Sequence, residues 1–148
     1  MKVNIDKPKP RLIEGGLHVD GRGILSYVND FDFKEVERSY IIRSHRAYEP
    51  RGWVGHKIDQ KWFWVVQGTS QISVVKPDNW ERPASNLPVE RFVLSALKPQ
   101  VLHVPAGYAN TSVNLCEDTI LMVFSTGKIE NSKNDDYRFE FDTWPIIE

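Results

Sequence analysis

The sequence predicts an all-β fold, a small barrel or sandwich of short strands. Three observations carry that expectation. Nine glycines and nine prolines punctuate the 148 residues, and no long stretch repeats apolar residues at helical spacing. The apolar runs are short and rich in β-branched and aromatic residues, which suit a pleated, half-buried surface. The length suits a single domain around one core, and no internal repeat or linker divides it.

In chain order, residues 1–19 read as an N-terminal arm. Strands are expected at 24–28, 38–43, 62–66, 71–75, 91–96, 101–104 and 119–125. Residues 67–70, with Gly68, read as the turn between two paired strands. Residues 78–88 hold Pro83 and Pro88, follow Pro77, and read as a surface loop. Pro105 and Gly107 mark a tight turn. Residues 125–136 are polar and read as an excursion. Beyond them Tyr137, Phe139 and Phe141 alternate with Arg138, Glu140 and Asp142 like a half-buried strand. Residues 125–148 are thus expected to pack on the barrel, within one domain spanning 1–148.

Composition excludes several classes of partner. Hydrophobic residues make up 41% and charged residues 26%, a globular balance, and the net charge is −1. Such a chain carries no field to draw it onto nucleic acid or an acidic membrane. No apolar run approaches the roughly 18 residues of a membrane helix, and the N-terminus lacks the apolar stretch of a secretory signal. The single cysteine, Cys116, cannot form an internal disulfide, which fits a reducing compartment. A cytoplasmic protein is expected.

Two constellations carry chemistry. The first is Arg51-Gly52, then Val54, His56, Lys57 and Gln60. If this stretch is extended, Val54, His56 and Gln60 point in related directions. Arginine suits two-pronged capture of phosphate or carboxylate. Histidine, with an ordinary pKa of about 6.5, can take and return a proton near neutrality. The second is Pro105-Ala106-Gly107-Tyr108-Ala109-Asn110. Tyr108 and Asn110 would sit at the turn, where they either bind a sugar hydroxyl or satisfy the turn's own backbone. A run of neighbouring aromatics, Trp62, Phe63 and Trp64, must point to both faces of its strand. One face would be interior; the other would meet a second sheet or a partner subunit.

These two stretches resemble the paired motifs of a cupin jelly-roll, the double-stranded β-helix barrel. The four positions that hold metal in such motifs fall here on Val54, His56, Gln60 and Asn110. One imidazole, two amides and an isopropyl group do not supply the three or four N, O⁻ or S⁻ donors a catalytic metal needs. No metal and no cofactor are expected. More narrowly, Asp20-x-Arg22-Gly23, Arg38-x-Tyr40-x-Ile42 and Arg51-Gly52-x-Val54-Gly55-His56-Lys57 resemble the dTDP-sugar 3,4-ketoisomerases, whose pattern reads R-G-x-H-A-H-K. Asp135-Asp136-Tyr137-Arg138 is similar to their closing segment, and Trp144-Pro145-Ile146 to that of the dTDP-4-dehydrorhamnose 3,5-epimerases.

The resemblance implies a homodimeric isomerase or epimerase binding a nucleotide-linked 4-keto-6-deoxy sugar in deoxysugar or surface-polysaccharide biosynthesis. It implies His56 as the base, with Tyr108 assisting, and Arg22, Arg51, Lys57, Gln60 and Asn110 as substrate contacts. Val54 replaces the first histidine of the pattern, which supplies the base in the 3,5-epimerases. Either His56 carries all the proton traffic, or the pocket is a sugar-nucleotide binding module without turnover.

Overall fold

The computed structural model describes residues 8–147, so residues 1–7 of the expected arm lie outside the described residues. Twelve strands are numbered here in chain order: β1 (Arg11–Glu14), β2 (Gly16–Asp20), β3 (Gly23–Tyr27), β4 (Arg38–Ile42), β5 (Trp53–His56), β6 (Lys61–Gln67), β7 (Thr69–Val75), β8 (Glu90–Ser95), β9 (Gln100–Val104), β10 (Tyr108–Asn114), β11 (Ile120–Ser125) and β12 (Tyr137–Phe139). One 3-10 turn covers Ile129–Asp135.

Ten strands form two antiparallel sheets of five, ordered β1-β9-β6-β11-β4 and β12-β5-β10-β7-β8. Strands β2 and β3 form a separate hairpin that joins neither sheet. Between the sheets lies an apolar core including Phe63, Val65, Ile72, Leu94, Leu102 and Leu121. Strand alternation explains which residues reach it. In β6, Lys61, Phe63 and Val65 point inward, while Trp62 and Trp64 point outward into a second cluster with Ile13, Phe31 and Phe124. The outward aromatic face is therefore covered by the chain's own N-terminal segment. A third cluster, around Trp53, Val113, Trp144 and Ile146, fastens the C-terminal residues onto the outside of the other sheet.

Two expectations need correction. Residues 67–70 do not join paired strands, because β6 and β7 lie in different sheets. Gly68 is instead the corner where the chain crosses over. Its φ of +76° suits glycine, and a Cβ there would collide with Thr119. Tyr108 and Asn110 likewise do not sit at a turn; they open β10, one of the longest strands. That strand has no apolar alternation because its inner face, Asn110 and Ser112, lines a polar cavity. No helix among the described residues is long and apolar enough to cross a membrane.

Candidate active site

A cavity of about 420 Å³ opens between β4, the edge of one sheet, and β12, the edge of the other. Its wall is charged and aromatic. Arg38, Arg51, Lys61 and Arg138 supply cations, Asp59 and Asp136 supply anions, and Tyr40, Phe139 and Phe141 supply rings. Gly52 leads into β5 with φ +92°, and a Cβ at that position would touch the Phe141 ring at 3.4 Å. That is an ordinary contact, so it is the positive φ that favours glycine at this position.

His56 closes β5 and lines this cavity. Its Nδ1 lies 2.7 Å from the backbone carbonyl of Asp135. A carbonyl only accepts, so Nδ1 carries the hydrogen and donates it. Nε2 is then the nitrogen left to take a proton. Burial, helped by the nearby Lys61 charge, holds the His56 pKa below its ordinary value, and Asp135 and Asp59 offset this only in part. At neutral pH His56 is a neutral imidazole in one tautomer.

Lys61 is almost fully buried at the start of β6, and its Nζ donates to Ser125 Oγ at 3.0 Å. The ammonium also lies over the Tyr40 ring, 5.4 Å from its centre. Burial, then the Arg38 charge, pushes its pKa down to about 8. Tyr40 is pushed up, mainly by burial, and keeps its phenolic hydrogen. Arg38 also lies over that ring, its Cζ 5.0 Å from the centre, and donates Nε–H to the Gly127 carbonyl at 3.0 Å. Asp59 is buried against Gly127, whose missing Cβ makes the room.

Of the residues singled out from sequence, the fold brings Arg51, Val54, His56 and Asn110 to this cavity. It does not bring the other four. The turn after His56 changes the strand phase, so Gln60 faces outward, where its Oε1 meets His103 Nε2 at 2.7 Å and its Nε2 donates to Glu35 at 3.0 Å. Lys57 leaves the cavity and lies over the Tyr137 and Trp80 rings at 4.7 and 5.5 Å. Tyr108 packs its ring on the barrel core, with its hydroxyl toward the Pro8 carbonyl at 3.5 Å. Arg22 sits at the tip of the β2–β3 hairpin, paired to Asp20 at 2.7 Å.

Sequence reasoning missed Lys61, Tyr40, Arg38 and Asp59 as site residues. In KWFWVVQ both faces of the strand are apolar, so alternation alone does not tell which face holds Lys61. Arg38 and Tyr40, themselves half-buried, alternate with exposed residues on an edge strand, a pattern that also fits a solvated edge.

His56, Asp59 and Asp135 are the set of ligating side chains that converges among the described residues, their nearest atoms all within 4.8 Å of one another. The Asp135 carboxylate already accepts from the backbone amides of Lys57, Ile58 and Asp59. That leaves two free donors beside the buried Lys61 ammonium, too few for a catalytic metal. The donor set does not fit one.

No protein-family model matches the sequence, and no curated protein matches it. Solved structures do. The rmlC epimerase of Mycobacterium tuberculosis superposes with a TM-score of 0.73 at 17% identity, covering 93% of this chain and 71% of that one. The dTDP-4-dehydrorhamnose 3,5-epimerase of Bacillus anthracis, solved with TDP and pyrophosphate, gives 0.73 at 21% identity, covering 97% and 90%. A variant of the 3,4-ketoisomerase of Thermoanaerobacterium thermosaccharolyticum, solved with TDP-4-keto-6-deoxyglucose, gives 0.68 at 17%, covering 88% of each chain. The chain shares their cupin jelly-roll. Within that jelly-roll the cavity lies at the barrel's open edge, and His56, Lys61, Tyr40 and Asp59 are among its lining groups able to hold or move a proton.

Proposed function

We propose that the protein is a nucleotide-sugar isomerase or epimerase acting by metal-free proton transfer beside a ketone. The substrate is a dTDP-4-keto-6-deoxyhexose or a close relative, and the setting is cytoplasmic deoxysugar or surface-polysaccharide biosynthesis. The observation that carries this reading is the pairing of His56 with Lys61 in one cavity. His56 is a neutral base with its acceptor nitrogen fixed, and Lys61 is a cation held where water is scarce. Removing a proton next to a ketone leaves negative charge on the carbonyl oxygen. That step needs a base matched to neutral pH and a cation or hydroxyl donor at the oxygen.

In this reading His56 Nε2 takes the proton from the carbon beside the ketone, and the C–H electron pair moves to form the enediolate. Lys61 Nζ and the Tyr40 hydroxyl stabilise the oxyanion. For a keto shift the imidazolium gives its proton to the former carbonyl carbon, and the proton of the neighbouring hydroxyl passes to the first oxygen as the new C=O forms. For an epimer a second acid on the opposite face protonates the original carbon, while His56 gives its proton to solvent. Arg51, with Arg38 and Arg138, binds the diphosphate, and Asn110 hydrogen-bonds a sugar hydroxyl. Solved neighbours holding TDP or TDP-4-keto-6-deoxyglucose support a substrate of this class. Arg22 does not line its own cavity, so its nucleotide contact in this proposal is made across a homodimer.

Val54 faces the cavity where the ketoisomerase pattern has a histidine, and this favours a second reading, a binding module without turnover. One experiment separates the two. The protein is mixed with dTDP-4-keto-6-deoxyglucose in D₂O, and the proton spectrum and binding heat are followed. Loss of the signal beside the ketone, absent with His56→Ala, is the expected result. Binding without exchange in the natural protein would remove the isomerase reading and leave the module.

A further inference from the structure

The resting state of His56 depends on one residue far along the chain. Asp135 ends the 3-10 turn and is almost fully buried. Its carboxylate accepts four short contacts from three successive backbone amides. Oδ1 takes Lys57 N at 2.7 Å and Ile58 N at 3.3 Å, and Oδ2 takes Ile58 N at 3.1 Å and Asp59 N at 2.8 Å. Its own backbone carbonyl takes His56 Nδ1–H at 2.7 Å. Four consecutive residues, 56 to 59, are thus held by one aspartate. Three amides turned to the same side form a concave anion site, and the carboxylate fills it. Without an acceptor there, the buried Asp59 N–H would go unpaired and the turn would lose the group that gathers its amides.

We propose that Asp135 is the positioning residue for His56, its side chain fastening the turn so that its carbonyl selects the Nδ1–H tautomer. This rests on His56 being the base. A free neutral imidazole favours the hydrogen on Nε2, which would aim a donor rather than a lone pair at the substrate carbon. The other polar groups near His56 cannot do the same work. Lys61 from β6 only donates, and Asp59 in the turn meets Gly127. Tyr108 lies opposite on β10 but directs its hydroxyl at Pro8. Arg138 on β12 pairs with Asp136 at 3.2 Å. The neighbouring acid, Asp136, is therefore spent on Arg138.

The test is a nitrogen–proton multiple-bond spectrum of protein labelled with ¹⁵N-histidine, with steady-state kinetics beside it. In the natural protein His56 should show a protonated Nδ1 and a bare Nε2. In Asp135→Asn, whose amide NH₂ opposes the backbone donors, the Nε2–H form should dominate. There kcat should fall about 10- to 100-fold, as when the partner that orients an imidazole is lost, while KM changes less than about threefold. Glu130→Gln, on the exposed side of the same 3-10 turn, should leave the spectrum unchanged. The proposal is overturned by an Nε2–H tautomer in the natural protein, a result that does not need the variant to fold. Retention of Nδ1–H in Asp135→Asn, or a tautomer change with kcat intact, would overturn it too. The spectrum needs no substrate. A correct tautomer without isomerase activity would leave the positioning in place and sink the functional reading instead.

Discussion

Lys61 places a charge where the fold gains least from it. Desolvation disfavours the ammonium, and the Ser125 hydroxyl and the Tyr40 ring compensate only in part. Its folded pKa, about 8, lies below its ordinary value near 10.5. The unfolded chain therefore binds this proton more tightly, and the cost to folding is full below about pH 8 and fades as the pH rises toward 10.5. Lys61→Met should raise stability by roughly 1–3 kcal/mol, as replacing buried charge by apolar volume often does, read from urea midpoints at pH 7. The same change should lower kcat about 10²- to 10³-fold, the usual loss for one oxyanion donor. In the natural protein kcat/KM against pH should be bell-shaped. The acid limb should fall below the ordinary histidine range, because burial lowers His56, and the alkaline limb should fall near pH 8, as Lys61 loses its proton. A profile flat from pH 7 to 10 would take Lys61 out of the reaction.

At the scale of elements, the C-terminal segment both covers the barrel and walls the site. Trp144 is fully buried edge-on to Trp53, with ring centres 5.2 Å apart, and its indole N–H donates to the Ala84 carbonyl at 2.9 Å. That anchor lets β12 pair with β5 and point Arg138 beside Val54. Trp144→Ala should cost about 3–5 kcal/mol by leaving a large cavity. It should also raise KM, because Arg138, Phe139 and Phe141 line the site. Denaturant melts and kinetics on the same preparation would show both effects; a stability loss with KM unchanged would separate the anchor from the site. Alternation made this segment legible as strand-like from sequence, yet only Tyr137–Phe139 is a strand. The rest bends to seat Trp144, a tertiary demand that overrides local pattern.

For the whole molecule, the β2–β3 hairpin is the part the fold leaves without an obvious reason in the single chain. A two-stranded hairpin is marginal alone in water, and this one exposes Leu17, Val19, Ile24 and Leu25. The proposed homodimer would cover them. Ile24→Asp should then shift the protein from dimer toward monomer in sedimentation velocity and weaken nucleotide binding, through Arg22 at the hairpin tip. A natural protein that sediments as a monomer at micromolar concentration would end that part of the proposal.

Short β-branched and aromatic runs between frequent glycines and prolines were enough to determine an all-β chain, and three of the residues singled out from sequence, Arg51, His56 and Asn110, line one cavity. These are local properties, set by side-chain shape and by the two-residue period of a strand. The pairing partners were not local. Whether Gly68 closes a hairpin or turns a corner between sheets depends on which strands find each other. So do the inward face of β6, and thus Lys61, the outward swing of Gln60 and Lys57, and the grip of Asp135 on His56. Each joins residues distant in sequence, and burial in the folded barrel gives those contacts their chemical effect.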